Sequence, residues 1–504
     1  MMMSVAVGLI VFVCPAQPLP PKFPAELDRY IAQVLVDGQI PGLAIAVVRN
    51  DSVIVARGYG VRELGTTDCV DANTVFDAAS LTKSFTATLA AMLVDRGQMR
   101  WDDPIQRYLP DLALSDSTLT KTATLRDFLS HGTGLESVNM SWVLTGVDRR
   151  EMLRRMRYAR AVAPRRQRMI YNNLGYMVAG EAIAAAGHKP YEVLLQELLI
   201  TPLHLQSTVL YGRAAGTPDM ASAHATMGGR QQVLRRRETQ REVTVAAAAT
   251  IEASATDLAR WLRLHLNNGV LDGVRYVSDS TMRTMHTRQV VIPTTPAMRA
   301  ARLVQDTMPG YGMGWQVMDY RGHPILWHTG GGDGQVAYMG MLPNDHLGVV
   351  VLVNTWSAPL IHTAIANRIF DAYLGYEPRD WAAEALARIP ADRQAREAAA
   401  REMDAMKSAT PPPLPLARYA GRYDSPLYGP ILVRLESTRL TLQLAGGETA
   451  DLEYHGGQAF FTRWRDPLYA ENYGTHVEFA VAGDAVTGLS LAPNREQITA
   501  RRAP

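Results

Sequence analysis

The sequence predicts an α+β fold: an antiparallel sheet flanked by helices with an all-helical insertion, followed by a small C-terminal all-β barrel-like domain. Three observations carry this. Apolar, β-branched runs lie near both ends of residues 23–375, at Pro41–Glu63 and Tyr311–Asn354. Helical patterning fills the interval between them. Short alternating runs then return beyond a proline-rich stretch at Pro411–Pro415. A sheet completed by distant parts of the chain, with helices inserted, is the α+β pattern. The predicted division is a signal peptide at residues 1–16, a main domain at 23–375, a helical and Pro-rich linker at 376–415, and a β-domain at 416–504.

Size and charge bound the function. The chain has 504 residues, 47% of them hydrophobic, enough to bury a large core and more than one domain. A formal net charge of +2 gives no strong field, and the densest basic run, Arg235–Glu242, mixes signs. It reads as a solvated surface segment, so no nucleic-acid partner is expected. The two cysteines, Cys14 and Cys69, have no zinc-ligand or CxxC neighbour, and no metal cluster or phosphate loop occurs; no cofactor is expected.

The elements follow in order. The N-terminal run, MMMSVAVGLIVFVCPAQ, has the length of a signal peptide and is short for a transmembrane helix. Cleavage after Ala16 would make the protein secreted or periplasmic and leave Cys69 without a disulfide partner. The run lacks a positive n-region, since no Lys or Arg precedes Lys22, and a cytoplasmic protein is the alternative. No stable membrane span is expected elsewhere. Pro41–Glu63 gives two strands joined at Arg-Asn-Asp, a hairpin signal. Phe76–Gly97 reads as a mostly apolar helix stopping at glycine. Helices and loops run from Trp101 to about Leu271, among them Ser254–Gly269, with a Ser-x-x-Asp start and a Gly stop. Tyr311–Asn354 reads as antiparallel strands with turns at Arg-Gly, Gly-Gly-Asp-Gly and Pro-Asn-Asp. A helix, an Ala/Glu/Arg-rich linker and short C-terminal strands complete the chain.

The chemistry begins at Ser80-Leu81-Thr82-Lys83. A serine hydroxyl is a weak nucleophile at neutral pH and needs a base. Positions i and i+3 of a helix share a face, and burial lowers a lysine pKa until the amine can act as that base. The helix N-terminus favours negative charge beside the serine. Ser-x-x-Lys alone occurs by chance and carries little weight. Its apolar neighbours, Leu81, Phe85, Leu89, Met92 and Leu93, place the lysine in a core, where lysines are rare without a reason. Two further motifs follow: Tyr171-Asn172-Asn173 in the helical region, and His328-Thr329-Gly330-Gly331 on a late strand. Each is weak alone; together, in this order, they are specific.

With these motifs the sequence resembles the serine β-lactamase and penicillin-binding-protein superfamily, on the class C β-lactamase, D-aminopeptidase and esterase branch. The resemblance spans roughly residues 24–375 and extends to WDDPIQRYLP, TLRDFLSHGTGL and LLITPLHLQST. LARYAGRY opens a C-terminal module similar to the lipocalin-like domain of some members. The resemblance implies roles. Ser80 would be acylated, and Lys83 and Tyr171 would form the base system. Asn173 would position the substrate amide and hold Lys83. His328, where many relatives carry lysine, would contact the substrate or tune Tyr171. Gly330 would let the strand approach the substrate closely, and the N–H groups of Ser80 and Gly331 would form an oxyanion hole. His131 reads as structural. The alanine-rich segment before Ser254 lacks the glycine pair common in relatives, which leaves the local loop shape open.

The expected activity is a serine hydrolase acting through an acyl-enzyme on amide, D-amino-acid peptide or small ester bonds. A β-lactamase, or a penicillin-binding protein that turns over slowly, is the alternative. A scaffold without catalysis is disfavoured by the complete motif set. Histidine at position 328 is a poorer carboxylate anchor than lysine, which favours a peptidase or esterase. Substrate choice would lie in loops Ser137–Arg168 and Gly212–Val245, and the β-domain would limit the cleft or mediate assembly. Oligomeric state is not legible.

Overall fold

A computed structural model of the chain describes residues 24–211, 219–227, 230–234, 244–296, 309–332, 334–408, 410–466, 469–470 and 474–504. The predicted signal segment, the Arg235–Glu242 run and part of the Gly212–Val245 loop lie outside them.

The α+β prediction holds. An eight-stranded antiparallel sheet takes the strands in the order Val290–Val291, Gly310–Tyr311, Gln316–Tyr320, His323–Gly332, Gln335–Leu342, Leu347–Val353, Gly42–Arg49 and Ser52–Gly60. The N-terminal hairpin therefore joins the sheet through Gly42–Arg49 against Leu347–Val353, across about 300 residues of sequence. Its turn is short because Asn50 and Asp51 both take positive φ, the geometry that matches strand twist in two-residue hairpins. Leu347–Val353 is buried at every position, because both sheet faces are covered. One face packs helices Ala25–Asp37 and Ile361–Leu374. The other packs Ala255–Leu266, and Thr82–Asp95 with Asn173–Gly187 against it belong to the same core. The region between the sheet halves is mostly helical and also holds a hairpin, Ala223–Met227 with Arg230–Leu234.

Phe76–Gly97 is not one helix. Phe76–Ala79 is a strand paired antiparallel with Ile251–Ala253, and the helix proper is Thr82–Asp95. The reason is local: a bulge between Asp77 and Ala79, and Ala79 at φ 43°, turn the chain sharply before Ser80. A non-glycine residue in that region stores strain, typically at sites that must present a side chain. The helix is also buried all round, not along one stripe: every residue from Thr82 to Leu93 is buried. Its hydroxyls are consequently paired, Thr86 donating to the Ala247 carbonyl at 2.6 Å and Ser84 accepting from Trp261 Nε1 at 3.0 Å.

After helices Trp381–Leu386 and Arg388–Ala405, the C-terminal domain is a closed eight-stranded antiparallel barrel from Gly421–Ser425 to Ile498–Arg502. Its interior is filled by side chains, with Tyr419, Phe460 and Phe479 packed edge to face. Cys69 is disulfide-bonded. Among the described residues no helix is long and apolar enough to cross a membrane.

The strand His323–Gly332 reaches the Ser80 turn through Gly330, where an added Cβ would lie 2.2 Å from the Ala78 carbonyl oxygen. Gly330→Ala is therefore expected to destabilise the protein by about 1–3 kcal/mol, read as a lower denaturant midpoint at unchanged m-value. An unchanged midpoint would contradict this packing.

Candidate active site

The bulged strand Phe76–Ala79 and the buried helix Thr82–Asp95 place Ser80 at the turn between them. Asp77 accepts from the Ala79 N–H at 2.8 Å and fixes the turn. Two side chains converge on the serine. Lys83 Nζ lies 2.9 Å from Ser80 Oγ, and Tyr171 donates its hydroxyl to the same oxygen at 2.9 Å. Lys83 also donates to the Ala248 carbonyl at 3.0 Å. That carbonyl belongs to the short helix Ala246–Ala249, the segment whose loop shape the sequence left open. Alanines there allow close approach, and the neighbouring Ala247 carbonyl serves Thr86 on the same helix as Lys83.

Lys83 is fully buried, at 0% exposure, with its Nζ 4.8 Å from the Tyr171 ring centre and 5.4 Å from that of Tyr176. Burial lowers its pKa well below the ordinary lysine value. Burial acts in the opposite direction on Tyr171 and holds its phenol well above the usual tyrosine range. A neutral amine can accept the Ser80 proton, while a protonated phenol can only give one. The two neighbours of Ser80 are thus pushed apart in proton affinity, the arrangement that separates a base from an acid.

Tyr171 is held from both sides. The Ile170 N–H donates to the His131 carbonyl at 3.0 Å, and the Asn172 N–H to His131 Nδ1 at 3.1 Å. Asn139 Nδ2 donates to the Tyr171 carbonyl at 3.3 Å and Asn139 Oδ1 accepts from the Asn173 N–H at 2.7 Å. His131 makes its two contacts from a left-handed backbone, φ 58°. Its ring lies 4.3 Å from that of Tyr171, and burial, then the nearby Lys83, keeps its pKa well below the ordinary value. It acts as scaffold, as its sequence context indicates. Asn172 caps the helix Asn173–Gly187 through its side chain, 2.9 Å from the Leu174 N–H.

His328 is buried with both ring nitrogens occupied. Nδ1 lies 2.6 Å from the Thr329 carbonyl oxygen, which only accepts, so Nδ1 carries the proton and Nε2 accepts from Tyr311 at 3.0 Å. Burial, then Lys83, lowers its pKa to about 3. His328 is therefore neutral and turned into the protein; its ring centre is 6.4 Å from that of Tyr171. Asn173 does not hold Lys83: its Oδ1 is buried without a hydrogen-bond partner, because Lys83 donates to Ala248 instead. Gly331, next to the close approach at Gly330, faces open space. The sheet partner on that side, Gln316–Tyr320, stops pairing at Trp327, which leaves the strand's end beside Ser80. Among the described residues no group of three or more His, Cys, Asp or Glu could hold a metal ion.

Sequence reasoning missed Tyr311, Tyr176 and Asn139. Each lies in an unremarkable local context, and only the tertiary contacts reveal its place around Tyr171 and His328.

Fold and site define the class of serine hydrolases whose serine and lysine lie one helical turn apart. The chain belongs to the Beta-lactamase family, which it matches over residues 27–373. Residues 405–502 match a second domain, described as a domain of unknown function, DUF3471. Among similar proteins, the unguisins hydrolase ungD of Aspergillus violaceofuscus is 29% identical, over 87% of this chain and 82% of the relative. Penicillin-binding protein 4 of Amycolatopsis lactamdurans is 26% identical, over 67% of this chain and 86% of the relative. The D-alanyl-D-alanine-carboxypeptidase/endopeptidase AmpH of Escherichia coli K12 is 25% identical, over 67% and 86%. In fold, the octameric penicillin-binding protein homologue from Pyrococcus abyssi superposes with a TM-score of 0.61, at 20% identity, over 94% of this chain and 99% of that one.

The buried amine has a measurable cost in stability. The unfolded chain binds the lysine proton up to about 10.5, whereas the folded chain releases it well below that value. Between those two values the unfolded state holds more protons, so stability rises with pH across this window. Lys83→Met removes the penalty. It is expected to melt higher than the parent near neutral pH, with the gain shrinking as the pH approaches 10.5. A variant that melts lower at neutral pH would contradict a neutralising burial.

Proposed function

We propose that the protein hydrolyses peptide amide bonds through an acyl-enzyme on Ser80. The observation that carries this is the pair of 2.9 Å contacts to Ser80 Oγ from a buried lysine and a buried tyrosine with opposite pKa shifts. Lys83 accepts the hydroxyl proton as Ser80 Oγ bonds to the substrate carbonyl carbon. The carbonyl oxygen becomes an oxyanion, served by the Ser80 and Gly331 N–H groups. Removing one such donor typically costs about 3–4 kcal/mol of barrier. As the intermediate collapses, the C–N bond breaks and the leaving nitrogen takes a proton from Tyr171, whose phenolate is reprotonated by the Lys83 ammonium that received the Ser80 proton. Water then attacks the ester, its proton passing to the same pair. Lys83 and Tyr171 titrate as a unit in this cycle.

Two observations favour peptides. The free end of strand His323–Gly332 offers backbone to an extended chain, with no side chain at Gly330 or Gly331 to obstruct it. Asn173 Oδ1, buried and unpartnered, is suited to accept a substrate amide N–H. The relative named as a carboxypeptidase/endopeptidase points the same way, and D-amino-acid peptides are the first substrates to try. The neutral His328, turned away to Tyr311, offers no cation to a free carboxylate, which weighs against a dedicated β-lactamase. Small activated esters would acylate the same serine.

Purified protein assayed on D-Ala peptides, p-nitrophenyl esters and a chromogenic cephalosporin separates these readings. Ser80→Ala should lower kcat/KM by more than about 10³-fold on every productive substrate. Tyr171→Phe should cost about 10²–10⁴-fold, more on amides than on p-nitrophenyl esters, whose leaving group needs no proton. Wild-type rates in Ser80→Ala would end the proposal. A cephalosporin turned over faster than any peptide would move it to a β-lactamase.

A further inference from the structure

Helix Asn139–Thr145 separates the candidate active site from the C-terminal barrel, and it is clasped at both ends by that barrel. At its start Glu496, 357 residues away in sequence, accepts from the Asn139 N–H at 2.9 Å and from the Met140 N–H at 2.7 Å. The same carboxylate accepts from Ser137 Oγ at 3.1 Å. At the far end the Gly446 N–H, on a barrel turn, donates to the Leu144 carbonyl at 2.8 Å, and a Cβ on Gly446 would lie 3.0 Å from that oxygen. Glu496 is itself only 8% exposed. It is delivered by two consecutive residues with left-handed backbones, Asn494 at φ 50° and Arg495 at φ 64°. Strain of that kind persists only where the surroundings impose it, and here it aims one carboxylate out of the barrel into another domain.

What Glu496 grips leads directly to the reacting groups. Asn139 holds the Tyr171 carbonyl with its amide nitrogen and the Asn173 N–H with its amide oxygen. Asn139 Nδ2 also donates to Ser137 Oγ at 2.9 Å, so the hydroxyl that Glu496 binds is tied to the same side chain. The path from barrel to serine is therefore continuous: Glu496, the Ser137–Met140 backbone, Asn139, Tyr171, Ser80 Oγ.

We propose that Glu496 is a positioning residue for hydrolysis: the barrel, through this carboxylate, fixes Asn139 and with it the orientation of Tyr171 towards Ser80. The inference rests on the acid–base role assigned to Tyr171 above. It gives the barrel a part in the reaction other than as a lid, and it makes the hydrolase domain incomplete without residues that close the chain's final hairpin.

The test uses the full chain and D-alanine p-nitroanilide, an amide whose leaving nitrogen needs a proton, with Ser80 labelling also followed by mass spectrometry using a fluorophosphonate. Glu496→Ala is expected to lower kcat on the order of 10²-fold, the scale of a misplaced reacting group, with KM little changed. Glu496→Gln, which keeps one accepting oxygen, should fall between Glu496→Ala and the parent. The loss should largely vanish in a Tyr171→Phe background and should not add to that of Asn139→Ala, because all three act on one orientation. Parent kcat in Glu496→Ala, or a loss fully additive with Tyr171→Phe, would overturn the inference. Should Glu496→Ala fail to melt cooperatively, Glu496→Gln carries the same cycle. An inactive Ser80→Ala beside an unimpaired Glu496→Ala refutes this inference alone, whereas an active Ser80→Ala refutes the acyl-enzyme reading beneath it.

Discussion

The structure is organised around an amine kept out of water. Lys83 sits fully buried on a helix that is itself buried from Thr82 to Leu93. An isolated buried charge is far costlier than a shifted pKa, so the group gives up its proton instead. Burial is what lowers its pKa. A carboxylate partner would have restored the charge and removed the base. The aromatic walls, Tyr171 and Tyr176, and a single carbonyl from Ala248 provide contact without that charge. The alanine-rich segment, the all-round burial of the helix and the tight turn at Ala79 all serve this one condition.

Tyr171 meets a complementary requirement. Its hydroxyl needs a fixed direction and a retained proton. Burial supplies the second, and a backbone clamp supplies the first. His131 takes the N–H groups on either side of Tyr171, while Asn139 takes its carbonyl. Hydrogen bonds of this kind contribute only about 0.5–1.5 kcal/mol each to stability. Their greater value lies in geometry, because acid–base catalysis requires the transferring atoms within hydrogen-bond reach. Scaffold residues around Tyr171 thus matter through direction more than through binding energy.

Much of this was legible in the sequence, for reasons that can be located. Ser80 and Lys83 are one turn apart, so their proximity is a local property, and their apolar neighbours announced the burial. The hairpin at Asn50-Asp51 and the strands from Tyr311 to Asn354 were readable because turn chemistry and alternation are local too. The strand Phe76–Ala79 was not, since four residues before a helix are too few to carry a period of their own, and only pairing with Ile251–Ala253 decides their state. The orientation of His328 was hidden for a similar reason. Its partner, Tyr311, lies on a neighbouring strand, and the motif reads the same whether the ring faces the cleft or the core. Glu496 was invisible, because nothing in a barrel turn marks a side chain that will reach another domain.

The central claim is that burial makes Lys83 the base for Ser80. The pH dependence of the single-turnover acylation rate of Ser80, measured with p-nitrophenyl acetate on the parent and on Lys83→Met, tests it most directly. The account predicts a rate that rises with pH through a midpoint well below 10.5 in the parent, as the buried ammonium loses its proton, and a limb that is lost in Lys83→Met. A parent midpoint at the ordinary lysine value, or a limb that persists without the lysine, would contradict it.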